Sequence, residues 1–288
     1  MYVETLGEGE PSVAVVGAIH GDEPCGARAV ERLVGESPPV ERPAKLIVAN
    51  ERALAAGERY LDADLNRSFP GDPDGDAHER RLAHDLRRAV EGCLTLGIHS
   101  TVSFDEPFGT LADLTPRTAE VMRALPIEHT ADFTGLVEGR SVNLPGFVNV
   151  EAGYQGSDRA ADNAYDCAAA FLRATGVLSG TVDRTETGLY EVFDVIEKAA
   201  DRRYRVEVEN FRRVAPGDVY ARARIAGGDD DAPSGDPGDA DAPDADKRRL
   251  RADREFWPVL LSADGHRRLL GYKATRVGEV GAVADRRD

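Results

Sequence analysis

Lysine, tryptophan, methionine and cysteine are all scarce in this chain. Lysine fills only positions 45, 198, 247 and 273, and 288 residues hold one Trp, two Met and three Cys. Cys25, Cys93 and Cys167 are odd in number and scattered, with no C-x-x-C pair. That argues against a disulfide framework and against a cysteine zinc site. No apolar run reaches the ~18 residues a membrane helix needs, and no apolar leader opens the chain, so a soluble, cytoplasmic protein with no membrane partner is expected. Positive charge is also outweighed: 36 basic against 52 acidic residues leave a formal net charge of −16. Such a field repels phosphate, which argues against nucleic acid and anionic membrane as partners. An acid-rich, lysine-poor surface suits concentrated cytoplasmic salt (a halophilic setting), although acidic drift in a GC-rich genome gives the same composition.

What is present suffices for a globular core. Hydrophobic residues make up 41% of the chain, enough for one large domain or two modest ones. Residues 12–19 and 45–50 predict buried strands, with a helix over 23–35 between them. A helix over 77–93, a strand over 94–99, a helix over 115–124, a strand over 144–151 and an Ala-rich helix over 158–175 follow. Strands alternating with helices predict an α/β domain with a parallel or mixed sheet over residues 1–180. Beyond it, strands are expected at 187–198, 202–211, 217–225, 256–262 and 267–276, with no long helix among them. Residues 181–288 thus predict a smaller β-rich C-terminal domain. Its interruption at about 227–248, almost wholly Asp, Gly, Pro, Ala and Ser, has too little apolar area to offset ordering entropy and is expected to be a disordered acidic insertion.

The most informative residues are His20-Gly21-Asp22-Glu23, after the apolar run Val13–Ile19. An imidazole and a carboxylate so spaced at a strand's end can reach one cation. His99 ends the run Leu94–Ile98, at the strand edge where open α/β sheets gather ligands. His20, Glu23 and His99 together make a His₂Glu set, a catalytic zinc shell that leaves a position for water. His78 and His84 superficially echo a metalloprotease helix but stand about 240° apart around it, so they cannot share a metal. His129 and His266 show no partner pattern. Asn66 and Arg67, in the segment Arg59–Gly71, offer amide donors and a planar guanidinium to a substrate carboxylate. Arg59 can donate to a developing oxyanion. Glu151 ends an apolar strand, where burial raises its pKa toward proton shuttling.

These pieces together resemble the succinylglutamate desuccinylase/aspartoacylase family, a deacylase branch of the zinc carboxypeptidase superfamily. The family's H-G-[DN]-E stands as His20-Gly21-Asp22-Glu23. Its R-Y-x-D-x-D-L-N-R stands as Arg59 through Arg67, a highly specific match. The second histidine segment stands as Ile98-His99-Ser100-Thr101, and V-E-x-G as Val150-Glu151-Ala152-Gly153, with Gln155 following. The resemblance implies a three-layer α/β/α zinc-carboxypeptidase-like domain with a mixed sheet, plus the smaller β-rich domain. It implies one zinc per chain on His20, Glu23 and His99, Glu151 as general base and Arg59 at the oxyanion. Asn66 and Arg67 would bind the α-carboxylate of a small anionic N-acyl amino acid, and Arg140 a second carboxylate. Hydrolysis of the linear amide would release amino acid and carboxylic acid. Many relatives carry Asp two residues before the third ligand, where this chain has Gly97; the hydrogen bond it makes is then lost or supplied by Asp64. A C-terminal substrate tyrosine has two candidate positions, Tyr272 and His266. A peptide-cleaving metallocarboxypeptidase uses the same chemistry, but the interval from Glu23 to His99 is shorter than digestive carboxypeptidases allow. A non-catalytic zinc-binding regulatory protein would be marked by loss of Glu151 or Arg59, and both are present. Oligomeric state stays open, a homo-oligomer included.

Overall fold

A computed structural model describes residues 1–225, 249–265 and 267–287. The acidic insertion expected at about 227–248 and His266 lie outside the described residues. The chain divides into two units, Met1–Glu191 with Val277–Asp288, and Val192–Arg276.

In the first unit, a mixed sheet runs in the order β1 (Tyr2–Leu6), β3 (Ala44–Val48), β2 (Val13–Gly17), β4 (Leu94–Thr101), β7 (Phe147–Tyr154), β5 (Phe108–Leu111) and β6 (His129–Asp132). The start of β8 (Gly188–Glu197) then pairs with β6. β2, β3, β4 and β7 are mutually parallel, β1 pairs antiparallel with β3, and β5 antiparallel with β7. Alternation decides which side chains go to which layer. Val13, Val15, Leu46, Leu96 and Ile98 pack with α1 (Cys25–Glu36), α4 (Pro116–Ala124), α5 (Asp158–Ala174) and α6 (Val280–Arg287). Ala14, Val16 and Ile47 point the other way, onto Leu82 and Leu86 of α3 (His78–Ala89). Both faces of the parallel strands are therefore apolar, and each fully buried Val or Leu contributes roughly 1.5–3 kcal/mol. This is the α/β/α sandwich that the sequence predicts.

Two boundaries differ for local reasons. The strand expected over 12–19 stops at Gly17 because Ala18 turns into the left-handed region at φ 51°. The helix expected from residue 23 starts at Cys25, with Pro24 as its N-cap. Short elements the sequence did not announce include β1, β5, β6, the helix α2 (Glu51–Ala56) and α6.

The second unit is β-rich. Its small antiparallel sheet has the order β11 (Arg249–Arg251), β10 (Val219–Ile225), β9 (Arg202–Val206). β12 (Trp257–Val259) pairs antiparallel with β13 (Leu269–Glu279), Val259 opposite Tyr272. Phe256, Tyr220, Leu261 and Leu270 form the core of this unit.

Candidate metal centre and active site

The turn at Ala18 throws residues 18–23 over the C-terminal edge of the sheet. Gly17 and Ala18 carbonyls accept the backbone N–H groups of Ala49 and Asn50, each at 2.9 Å, which fastens the turn to the end of β3. Gly21 is required here: a Cβ would lie 2.1 Å from the carbonyl carbon of Ala53 in α2. The close approach seats His20 and Glu23 beneath α2, both buried.

Glu23 stands between two imidazoles. Its Oε1 lies 2.8 Å from His20 Nδ1 and its Oε2 2.8 Å from His99 Nδ1. The two rings are 5.1 Å apart, centre to centre. Burial alone would raise the Glu23 carboxyl, but the two imidazoles outweigh it and hold it well below the usual range. Candidate ligand atoms of the three residues lie within 4.8 Å of one another, the one such group among the described residues. Both Nδ1 atoms face the shared carboxylate, and His20 Nε2 lies 3.1 Å from Asp64 Oδ1 and 3.0 Å from Arg59 Nη2. His99 Nε2 is buried without a hydrogen-bond partner among the described residues. Two nitrogens and a carboxylate, converging in a buried pocket with one ring nitrogen tied from behind, fit a zinc ion. The centre can hold a metal.

The neighbouring strand brings the second carboxylate. In the parallel pair β4–β7, Glu151 is in register with His99, so both end on the same side at the same edge. Burial, and then the charge of Glu23, push the Glu151 carboxyl up to about 8 against the opposing charges of His20, Arg59 and Arg140. Cys25 donates Sγ–H to the His99 carbonyl at 3.4 Å; burial pushes its thiol to about 12, so it is an inert packing group.

The Arg59–Arg67 segment closes the opposite side. Arg59 donates to Glu23 Oε1 at 3.0 Å and to Asp64 Oδ2 at 3.3 Å. Burial works against the Asp64 carboxylate, yet the His20 contact with Arg59 and Arg67 holds its carboxyl well below the usual range. Asn66 is buried, its N–H donating to Asp64 Oδ1 at 2.9 Å, while Arg67 is exposed and donates to the Asn66 carbonyl at 2.7 Å. Arg140 is half-buried, close enough to Glu151 to lower its pKa, with its own N–H held by Asn143 Oδ1 at 3.0 Å.

Sequence reasoning passed over Glu79. Beside His78 on a charged helix it reads as a solvent-facing residue, yet it is fully buried. It accepts the N–H groups of Leu61, Asp62 and Ala63 at 2.8, 3.0 and 3.1 Å, and the side-chain amide of Asn50 at 3.2 Å. One carboxylate therefore fixes the backbone of the loop that carries Arg59, Asp64 and Asn66. The signal was a lone Glu within an apolar helical face containing Leu82 and Leu86. The other described histidines stay apart from the centre: His78 and His84 are half-exposed on α3, and His129 packs against Tyr190 and Phe104. Tyr272 is buried within the second unit.

Residues 9–103, which carry His20, Glu23, the Arg59–Arg67 segment and His99, match the succinylglutamate desuccinylase/aspartoacylase catalytic domain. Among curated relatives, an N-acyl-aromatic-L-amino acid amidohydrolase (carboxylate-forming) of Rattus norvegicus is 34% identical over 110 residues, 37% of this chain and 34% of that protein. An N-alpha-acetyl-L-2,4-diaminobutyric acid deacetylase of Halomonas elongata is 39% identical over 101 residues, 33% of this chain and 29% of that protein. The matched stretches thus span about a third of the length of these curated relatives. Among solved structures, the product-bound ectoine utilization protein of Ruegeria pomeroyi aligns with a TM-score of 0.73 at 21% identity, covering 95% of this chain and 88% of that one. A succinylglutamate desuccinylase/aspartoacylase of Rhodobacter sphaeroides aligns at 0.70 and 21%, covering 96% and 87%. At such identity these structures establish the fold.

Proposed function

We propose that this chain is a zinc-dependent N-acyl amino acid deacylase, cleaving a linear amide to a free amino acid and a carboxylic acid. The observation that carries the reading is the buried His20–Glu23–His99 group with Glu151 in register beside His99. The family match and the hydrolase names of both curated relatives support it. Zinc held by His20, Glu23 and His99 would supply Lewis acidity, which acidifies water and polarises an amide carbonyl.

The chain's own residues do the rest. Glu151, with its raised pKa, takes the proton of the attacking water and returns it to the leaving amine. Arg59 brings a fixed positive charge to the oxygen that becomes anionic. Asn66 and Arg67 hold the α-carboxylate of the amino acid, and Arg140 a second carboxylate where the substrate has one. A cationic pocket of this kind concentrates an anionic substrate within an acidic protein. N-acetylaspartate, N-succinylglutamate and an acetylated diamino acid are all chemically compatible.

The test is amine release from a panel of N-acyl amino acids and free dipeptides, with zinc-loaded protein in concentrated KCl. Release from acyl amino acids supports the deacylase and names its substrate. Release from dipeptides alone assigns a carboxypeptidase instead, and release from neither leaves a zinc-binding protein without this activity.

A further inference from the structure

One pleat below the His99–Glu151 pair, on the same face of the same two strands, stands a second cross-strand pair, Gly97 and Asn149. The two fit as hand and glove. A Cβ on Gly97 would lie 2.1 Å from Asn149 Oδ1, so the missing side chain at 97 is the space the Asn149 amide fills. Asn149 is buried, and a buried amide needs partners. Its hydrogen-bonding partner is the fully buried Ser141 hydroxyl, 3.2 Å from Nδ2 and 3.5 Å from Oδ1.

Ser141 carries the contact onward. Its backbone N–H donates to Asn66 Oδ1 at 2.8 Å. A backbone N–H can only donate, so the amide oxygen of Asn66 must face Ser141, and its NH₂ group must face away. The Asn66 N–H is fixed from the other side by Asp64, which also lies beside His20. The backbone of Asn66 is therefore fixed by Asp64 and its side-chain oxygen by Ser141, with its amide donors directed away from Ser141.

We propose that Asn149, acting through Ser141, is a positioning residue that sets the orientation of the Asn66 amide toward the α-carboxylate of the substrate. The proposal rests on the deacylase reading. The Gly97–Asn149 pair puts its one polar side chain on β7, where it reaches Ser141.

The experiment compares wild type, Asn149→Ala and Ser141→Ala, all zinc-loaded, on the best N-acyl amino acid of the panel. Each of the two products is also used as a competitive inhibitor. In Asn149→Ala, KM and the inhibition constant of the amino acid product rise about tenfold, as expected for a misdirected hydrogen bond to a charged group. kcat, zinc content and the inhibition constant of the carboxylic acid product stay within about twofold. Ser141→Ala shifts the same two quantities less. A lesion that is only structural weakens both products alike or lowers kcat, and that result overturns the proposal, as does an unchanged KM. If Asn149→Ala does not fold, Ser141→Ala decides the question by the same split. Absence of turnover in wild type overturns the deacylase reading and the positioning role together, whereas wild-type turnover without the split removes the positioning role alone.

Discussion

Glu151 is where a single side chain bears most on the proposed reaction. Glutamine keeps its shape and loses its basicity, so Glu151→Gln is expected to bind zinc as wild type does and to lose about 10²–10⁴ in kcat. Metal analysis alongside turnover checks both halves, and loss of zinc from the variant would make Glu151 a structural residue. The pH profile follows from the same group. Burial and the Glu23 charge raise its pKa, so toward acid it keeps its proton and has no lone pair to offer. kcat/KM should therefore rise with pH through a limb lying above the ordinary carboxylate range of roughly 4 to 4.5. A cation on Glu23 offsets the Glu23 contribution, but burial remains. A limb at the ordinary value would mean that another group, or an exposed Glu151, acts as base. At this scale the sequence was informative about place: His20, Glu23, His99, Arg59 and Asn66 lie in motif segments that the fold brings close to one another. Asn149 was not legible, because its meaning depends on the side chain that Gly97 lacks across the strand pair.

Among the elements, α3 and the Arg59–Arg67 loop are joined through Glu79. Burial works against its carboxylate, but three backbone N–H groups and Asn50 hold its pKa below the usual value. A depressed pKa stabilises the fold above the unfolded-state value of about 4.3 and ceases to do so as pH falls through the folded value. Glu79→Gln should lower stability at neutral pH by about 2 kcal/mol, and the loss of stability on acidification should become shallower. Urea unfolding at several pH values checks this; an unchanged midpoint would place Glu79 outside the stabilising network. The core strands were legible because Val13–Gly17, Ala44–Val48 and Leu94–Ile98 are short apolar runs buried on both faces. β5 and β6 escaped notice since Phe108–Leu111 and His129–Asp132 are only four residues long and show no period. Glu79 escaped because a buried carboxylate is rare unless paired, and its partners are backbone groups with no sequence signature.

Across the whole molecule, the net charge of −16 works against compactness. Raising KCl shortens the screening length from about 10 Å at 0.1 M to about 3 Å at 1 M. The thermal midpoint is therefore expected to climb over that range, and a flat or falling midpoint would show that self-repulsion is unimportant. No described helix is long and apolar enough to cross a membrane. The return of Val277–Asp288 to the first unit had no composition signal. In the proposed reading, hydrolysis depends on a metal held by the His20–Glu23–His99 group. The most direct test follows amine release from the best N-acyl amino acid with protein stripped by chelator, then titrated with zinc, beside His99→Ala treated the same way. Activity should vanish on stripping, return in full at one zinc per chain, and be absent from a folded His99→Ala at that stoichiometry. Full turnover by the stripped wild type, or by His99→Ala, would contradict the reading.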